Sequence, residues 1–257
     1  MPRCCDRLAL ALTALSSVLL AAVFTYVMAF VPGRAPGAYL TVFLAAYALH
    51  VVAFYRTSRT DPGRIPSDFT PTPTTCVERK RSDRQAFRFC RKCRVFKPDR
   101  AHHCDRCGRC AMRMDHCCMF VGNCIGAGNH KFFLLMLFWT AVACGVIALA
   151  ICDVHGRYYP RSFLLSLFAE SRVHFGTVAL VAGTVSVGIG LFLVFHVVLL
   201  AANLTSIELH EKRGFSCRPQ YRNPFDVGLL DNVRSVLGRR PWLWLVPVRD
   251  GGKPHDL

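Results

Sequence analysis

The sequence predicts an all-α integral membrane protein with four transmembrane helices and a cytosolic two-zinc cysteine-rich domain between helices 2 and 3. Two observations predict this architecture. Eight of the 14 cysteines lie between Cys90 and Cys124. Four apolar stretches are each about 18 residues or longer, which is roughly the length a helix needs to cross a hydrocarbon core. These stretches cover residues 8–31, 38–55, 132–153 and 174–202.

The first apolar stretch admits two interpretations. It follows the basic residues Arg3 and Arg7, a start that is also typical of a secretory signal peptide. Its length and the aromatic residues Phe24, Tyr26 and Phe30 favour a retained membrane anchor instead. With four retained helices, both termini lie on the same side of the membrane.

The distribution of basic residues predicts the orientation of the chain. Of the 32 Lys and Arg residues, 17 lie in 56–131 and nine follow the last apolar stretch. Because loops rich in Lys and Arg stay cytoplasmic, the cysteine block is assigned to the cytosol. Thiols remain reduced there, which favours zinc over disulfides. The net charge of +16 fits topology control and attraction to anionic lipid better than nucleic-acid binding.

The cysteine block contains more metal ligands than two zinc ions need. Its eight cysteines and His103 make nine candidate ligands. Two tetrahedral zinc sites require eight. One thiol is therefore left over for chemistry.

Other uses of clustered cysteines fit this spacing less well. The segment Cys104 to Cys110 begins like an iron–sulfur motif, but Met114 follows where a fourth cysteine is expected. A DNA-reading finger needs a helix between its ligand pairs, so nucleic acid is not an expected partner. A RING-like ubiquitin ligase or a zinc-stapled membrane adaptor remains the alternative, although the closely spaced ligands leave little room for the long first loop of a RING domain.

The order of motifs along the chain carries a family resemblance. Within the block the motifs are Cys90-Arg-Lys-Cys93, Lys97-Pro98-Asp99-Arg100-Ala-His102-His103-Cys104, Cys107, Cys110, Asp115-His116-Cys117-Cys118 and Asn123-Cys124-Ile-Gly126. Together they resemble the cysteine-rich domain of the DHHC protein S-acyltransferases, or palmitoyltransferases. Three further segments resemble, in turn, the DPG, TTxE and C-terminal motifs of that family; they are Asp61-Pro62-Gly63, Thr205-Ser206-Ile207-Glu208 and residues 223–232.

This resemblance covers nearly the whole chain and implies five segments. The first two helices and a short lumenal loop occupy 1–55, and a cytosolic linker with the DPG motif occupies 56–89. The zinc-binding catalytic domain is expected at 90–131. Helices 3 and 4 with a lumenal loop follow at 132–203, and a cytosolic tail at 204–257.

The family pattern also implies two structural zinc ions with separate ligand sets. The first set is Cys90, Cys93, His103 and Cys110. The second set is Cys104, Cys107, Cys117 and Cys124. Closed four-ligand sites of this kind are structural and not catalytic.

The remaining cysteine, Cys118, occupies the position of the family nucleophile that carries the acyl intermediate. A thiol needs a base or cationic surroundings to react at neutral pH. His116 can supply the general base, and Asp115 can orient its imidazole. We expect Asp115 to Cys118 to form a turn. The resemblance further implies that Ser206 supports Asp115 and that Asn232 braces the tail against the helices.

The implied reaction transfers a fatty acyl group from acyl-CoA, such as palmitoyl-CoA, to Cys118 and then to cysteines of membrane-associated proteins. The acyl chain is expected among the four helices, and the CoA phosphates against the basic surface. Candidate contacts to these phosphates are Lys97, Arg100, Arg91 and Lys131. The expected location is an endomembrane, the Golgi or the endoplasmic reticulum.

Two positions depart from the family pattern. Cys117 stands where the family has a second histidine, so the signature reads Asp-His-Cys-Cys. A thiolate is also a good zinc ligand, but its negative charge disfavours the thiolate of neighbouring Cys118. Met119 and Phe120 replace the usual Pro-Trp and keep the apolar bulk.

Overall fold

The computed structural model describes residues 7–30, 37–73, 79–80, 83–158, 173–216 and 223–250. Residues 31–36 and 159–172, which make up most of the two predicted lumenal loops, lie outside the described residues. The chain divides into two compact units. One comprises Met1–Ala11, Phe54–Phe133 and His196–Leu257, and the other comprises Leu12–Ala53 and Leu134–Phe195.

Four long helices follow the four apolar stretches. They are α1 (Arg7–Phe30), α2 (Gly37–Arg59), α3 (His130–Tyr158) and α4 (Val173–Ala201). Within the described residues, three helical segments are long and apolar enough to cross a bilayer: Gly37–Arg59, His130–Val154 and Phe175–Ala201. In α1 the corresponding apolar segment is the shorter Thr13–Thr25. The chain is therefore a helical membrane protein, while the count of four spanning helices stays a prediction.

The unit that contains most of the long helices has an apolar core drawn from all four of them. Phe24 of α1 stacks on Phe43 of α2, with ring centroids 3.7 Å apart. Ile147 of α3 and Ala179 of α4 are buried in the same cluster. Many large apolar side chains remain exposed, among them Leu191 of α4. An extended apolar exterior of this kind is typical of helices whose solvent is lipid.

The cysteine-rich segment belongs to the other unit and forms four antiparallel strand pairs. The first pair is β1 (Arg79–Lys80) with β2 (Asp83–Phe87), and the second is β3 (Phe89–Cys90) with β4 (Val95–Phe96). The third pair is β5 (His102–Cys104) with β6 (Arg109–Ala111), and the fourth is β7 (His116–Cys118) with β8 (Asn123–Ile125). The protein is thus helical with a small β component at the cysteine block.

Two shorter helices and a 3₁₀ turn follow α4. Helix α5 spans Ser206–Ser216, helix α6 spans Leu229–Leu237, and the 3₁₀ turn spans Pro241–Leu243. Glycines flank α6 on both sides, Gly228 with φ 98° and Gly238 with φ 96°. These angles are strained for any residue with a Cβ, so the glycines set both ends of the helix.

The turn after α2 packs directly against the end of the cysteine block. The backbone N–H of Gly128 donates to the Pro62 carbonyl at 2.9 Å, and the N–H of Met112 donates to the Gly63 carbonyl at 3.1 Å. A Cβ on Gly128 would overlap the Asp61 carbonyl oxygen. Close backbone approach therefore explains both the turn motif and the glycine opposite it.

Candidate active site and metal centres

The first cysteine pair forms a knuckle in which a thiol faces the backbone. The N–H of Cys93 points to the Sγ of Cys90 at 3.4 Å. Arg94, the next residue, adopts the left-handed conformation with φ 56°, which turns the chain back into β4. The knuckle therefore places the two sulfur atoms on one side of the turn.

The second cysteine pair repeats this geometry. The N–H of Cys107 points to the Sγ of Cys104, again at 3.4 Å. Gly108 follows in the left-handed conformation with φ 65°, where glycine carries no steric cost. Two knuckles of equal shape are the usual foundation of tetrahedral cysteine sites.

Strand pairing completes the first group of ligands. His103 in β5 lies opposite Cys110 in β6, so both side chains extend from the same face of the pair. The Nδ1 of His103 lies 3.5 Å from the Sγ of Cys90, 3.2 Å from that of Cys93 and 3.8 Å from that of Cys110. These separations suit ligands around one tetrahedral ion with bonds of about 2.0–2.3 Å.

The alternation of side chains along β5 places Cys104 in a second group of candidate ligands. Cys104 follows His103 in β5 and therefore points to the opposite face. It meets Cys107 and the cross-strand neighbours Cys117 and Cys124 of the β7–β8 pair. Their four ligand atoms lie within 4.8 Å of one another. The two groups contain the same residues that the family resemblance implied.

Both groups fit zinc by their chemistry. One supplies three thiols and an imidazole, the other four thiols, and both donor sets are typical of structural zinc. Burial raises the pKa of Cys124 to about 12 and also raises the pKa of Cys110. Such thiols need a bound cation to ionise at neutral pH.

The short strand β7 separates the predicted catalytic residues from Cys117, the candidate metal ligand between them. We expected a turn from Asp115 to Cys118, but His116–Cys118 is a strand. Side chains alternate along a strand, so His116 and Cys118 share one face and Cys117 occupies the other. Interaction with Cys118 helps to raise the pKa of His116. The strand therefore brings His116 and Cys118 to one face, the arrangement that we expected from a turn.

Asp115 holds His116 and is itself held from a distant part of the chain. The Nδ1–H of His116 donates to Asp115 Oδ2 at 2.6 Å. The backbone N–H of Ser206 donates to Asp115 Oδ1 at 2.7 Å, and the Ser206 hydroxyl donates to the Asp115 carbonyl at 2.6 Å. The Asp115 side chain is completely buried.

The electrostatics of this pair favour opposite charges on its members. Burial opposes ionisation of Asp115, but hydrogen bonds from His116 and Ser206 hold its pKa well below its usual range. Burial likewise opposes protonation of His116. Hydrogen bonds with Asp115 and Cys118 nevertheless raise the pKa of His116 to about 9.

Comparison with known proteins decides the family. The family model described as DHHC palmitoyltransferase matches residues 83–213, a span that contains both ligand groups and the residues from Asp115 to Cys118. The chain belongs to the DHHC palmitoyltransferase family. It is an acyltransferase, and the alternative of a RING-like ligase or adaptor is not favoured.

Similar proteins extend this match over more of the chain. Probable protein S-acyltransferase 12 of Arabidopsis thaliana is 32% identical over 210 residues, 76% of this chain and 68% of the relative. Probable protein S-acyltransferase 16 of the same plant is 30% identical over 248 residues, which is 89% of this chain and 83% of the relative. Human palmitoyltransferase ZDHHC15 is 35% identical over 171 residues, 66% of this chain and 49% of the relative.

Three residues that the sequence analysis left without a role surround the Asp115–His116 pair of this palmitoyltransferase. The ring of Phe133 lies 5.0 Å from that of His116, edge to face. The ring of His196 lies 5.9 Å from that of His116, and its Nδ1 is 3.9 Å from Asp115 Oδ2. His130, buried, lies in the same group. The signal that could have found His196 in the sequence is a histidine within an apolar helix.

Two of the four predicted CoA contacts are engaged elsewhere in the acyltransferase. Arg100 is buried and donates to both carboxylate oxygens of Glu208, at 2.7 and 3.1 Å. Its remaining guanidinium nitrogen donates to Asn203 Oδ1 at 2.9 Å. Lys131 is also buried, and its Nζ donates to the Leu243 carbonyl at 2.8 Å. These two cations hold elements of the protein together.

The other two predicted contacts are more accessible. Arg91 is exposed, and Lys97 is half-buried. Both lie within or next to the β3–β4 pair, which carries the first knuckle.

Asn232 lies fully buried at the start of α6. Its amide donates to the Ala201 carbonyl at the end of α4 and to Asp226 Oδ1, both at 2.7 Å. Its Oδ1 accepts the N–H of Val227 at 3.1 Å. The side chain therefore joins the tail to the last residue of α4.

Proposed function

We propose that this palmitoyltransferase uses Cys118 as its nucleophile, His116 as general base and Asp115 as the residue that orients His116. One observation carries the proposal: Asp115 is hydrogen-bonded to the His116 imidazole, and His116 and Cys118 extend from the same face of β7. In hydrolases, a nucleophile, a base and an orienting carboxylate in this order constitute a working triad.

The first step forms the acyl-enzyme. His116 takes the proton of Cys118 before the attack, a transfer that the raised pKa of His116 favours, and the resulting thiolate attacks the carbonyl carbon of a fatty acyl-CoA thioester. A new carbon–sulfur bond forms, the bond to the CoA sulfur breaks, and CoA leaves as a thiol with the proton from His116. A thioester replaces a thioester, so no ATP is consumed.

The second step regenerates the enzyme. His116 takes the proton of a cysteine thiol on a membrane-associated protein, and that sulfur attacks the acyl carbon on Cys118. The bond to Cys118 breaks, and His116 returns the proton to its sulfur. Throughout both steps Asp115 holds Nδ1 of His116, so that Nε2 is the atom that exchanges protons. Ser206 keeps Asp115 in position through two hydrogen bonds.

Two structural zinc ions would hold this geometry without joining the reaction. Cys90, Cys93, His103 and Cys110 would bind the first, and Cys104, Cys107, Cys117 and Cys124 the second. The second set includes Cys117, the residue between His116 and Cys118. Fixing Cys117 on one face of β7 fixes its two neighbours on the other.

The remaining assignments complete the proposal. Four helices span an endomembrane, Golgi or endoplasmic reticulum, and the domain boundaries are those expected from the sequence. Both termini and the zinc domain face the cytosol, where Arg91 and Lys97 meet the CoA phosphates. For Arg100 and Lys131 we propose structural roles in place of CoA binding, because both are buried in contacts within the protein.

Acylation of the purified protein tests the nucleophile. The protein is incubated with palmitoyl-CoA in a background in which Cys4 and Cys5 are replaced by serine. We expect hydroxylamine-labile incorporation that Cys118→Ser abolishes. Cys152→Ser, which removes another thiol in α3, serves as the matched control and retains incorporation. Both variants should keep the same zinc content, and undiminished labelling of Cys118→Ser would overturn the assignment.

A further inference from the structure

The segment 223–250, called here the tail segment, is bound to the ends of two apolar helices. Asn232 donates to the carbonyl of Ala201, the last residue of α4. Lys131, the second residue of α3, donates to the Leu243 carbonyl. The spanning segments of these helices end at Ala201 and begin at His130. The tail segment therefore lies at the level where these helices leave the hydrocarbon.

Helix α6 has an apolar face next to the face it presents to the protein. Asn232 and Ser235, three positions apart, make the protein contacts, and the Ser235 hydroxyl accepts from Arg113 at 3.2 Å. Leu229 and Val233 lie four positions apart on the neighbouring arc. Leu229 is 66% exposed. An apolar arc beside a docked arc is typical of a helix lying in a membrane interface.

The residues on either side of α6 add to this apolar surface. Val227 precedes the helix and is 65% exposed, and Leu245 follows it and is 52% exposed. Trp242 is 74% exposed. The indole N–H of Trp244, two residues further on, donates to the Gly238 carbonyl at 2.9 Å, which holds this part of the chain in place. Tryptophan is favoured at the boundary between headgroups and acyl chains.

The last turns of α4 also carry exposed apolar side chains. Val197 and Val198, in the last turns of that spanning helix, are exposed apolar side chains in the same unit. Lipid is the solvent of such side chains in a membrane protein. The tail segment is tied to the end of this helix through Asn232, so its exposed apolar side chains lie at the depth of the same solvent.

The charge of the tail segment indicates which force would hold it to the bilayer. The segment contains four arginines and three aspartates, a net charge of +1. Arg240 pairs with Asp250 at 3.2 Å, and Arg234 pairs with Asp231 at 3.3 Å. With so little net charge, attraction to anionic lipid contributes little to membrane binding. Burial of apolar side chains contributes most of the binding free energy.

We infer that Val227, Leu229, Leu230, Trp242 and Leu245 form a membrane-inserted surface. They enter the leaflet of the protein's own bilayer at which α4 ends, and they do so in neutral phosphatidylcholine as well as in anionic lipid. The inference concerns how the tail is anchored and does not depend on the acyl-transfer mechanism.

Fluorescence quenching in bilayers tests the insertion. The full chain with Trp139→Phe and Trp244→Phe, which leaves Trp242 as its single tryptophan, is reconstituted into phosphatidylcholine or its acyl-chain-brominated form. We expect about twofold or stronger quenching by the brominated lipid and little quenching by aqueous iodide. The quenching should be the same with added phosphatidylserine or high salt.

Three outcomes would overturn the inference. Emission quenched by iodide but not by brominated lipid would place Trp242 in water. Emission protected from both quenchers would show that a protein surface covers it. Quenching that requires phosphatidylserine would show that charge drives the contact. Because Trp244→Phe removes a hydrogen bond, a chain that carries Trp139→Phe and keeps Trp244 provides a second test: adding Trp242→Phe to it should remove most of the lipid-quenchable emission.

Discussion

The buried ion pair between Arg100 and Glu208 offers the sharpest test of how the zinc domain is held to α5. Only 4% of the Arg100 side chain and 1% of the Glu208 side chain is exposed. Glu208 Oε2 also accepts the N–H of Thr205 at 2.9 Å. Glu208→Ala leaves the Arg100 charge buried and opens the turn that precedes Ser206.

The size of the effect follows from this burial. Removing one partner of a buried ion pair costs roughly 3–5 kcal/mol. At about 2–4 °C per kcal/mol for a chain of this length, Tm should fall by roughly 6–20 °C. Autoacylation should also slow, because Ser206 loses the turn that presents it to Asp115. Arg157→Ala removes an exposed ion pair with Asp153 and should leave Tm unchanged.

Thermal unfolding and autoacylation in the same detergent provide the assay. The double variant Arg100→Met with Glu208→Leu removes both charges and should lose less stability than either single variant. A Glu208→Ala protein that unfolds within about 2 °C of the parent would show that this ion pair does not stabilise the fold. So would a double variant whose loss equals the sum of the two single losses, because the residues would then be uncoupled.

Three further predictions concern the metal sites, the turn after α2 and the support of Asp115. Cys107→Ala should lower bound zinc from about two ions per chain to about one, by elemental analysis, whereas Cys118→Ser keeps both; equal zinc in the two variants would contradict the ligand assignment. Gly128→Ala should destabilise the protein by about 1–3 kcal/mol, measured as a lower Tm, because its Cβ would overlap the Asp61 carbonyl; an unchanged Tm would argue against that packing. Ser206→Ala should slow autoacylation at least about tenfold, while Ser206→Thr keeps most of the rate; equal rates for both would remove the hydroxyl from the mechanism.

The local parts of the structure could be predicted from the sequence. Apolar stretches become helices because their backbone hydrogen bonds close within the segment. The knuckles follow from the two-residue spacing of Cys90 and Cys93 and of Cys104 and Cys107. The strand at His116–Cys118 was expected to be a turn, since nothing in three residues reveals that Asn123–Ile125 will pair with them.

Sequence alone predicts the apolar helices, the number and kind of candidate metal ligands and the surplus thiol, because each of these is a property of residue type and short-range spacing. Tertiary structure alone decided which face each ligand occupies and what each charge does. Arg100 pairs with a glutamate 108 positions away, and Asp115 is held by a serine 91 positions away. Burial decides whether an arginine meets a cofactor or a carboxylate of its own chain, and burial depends on contacts that no local pattern contains.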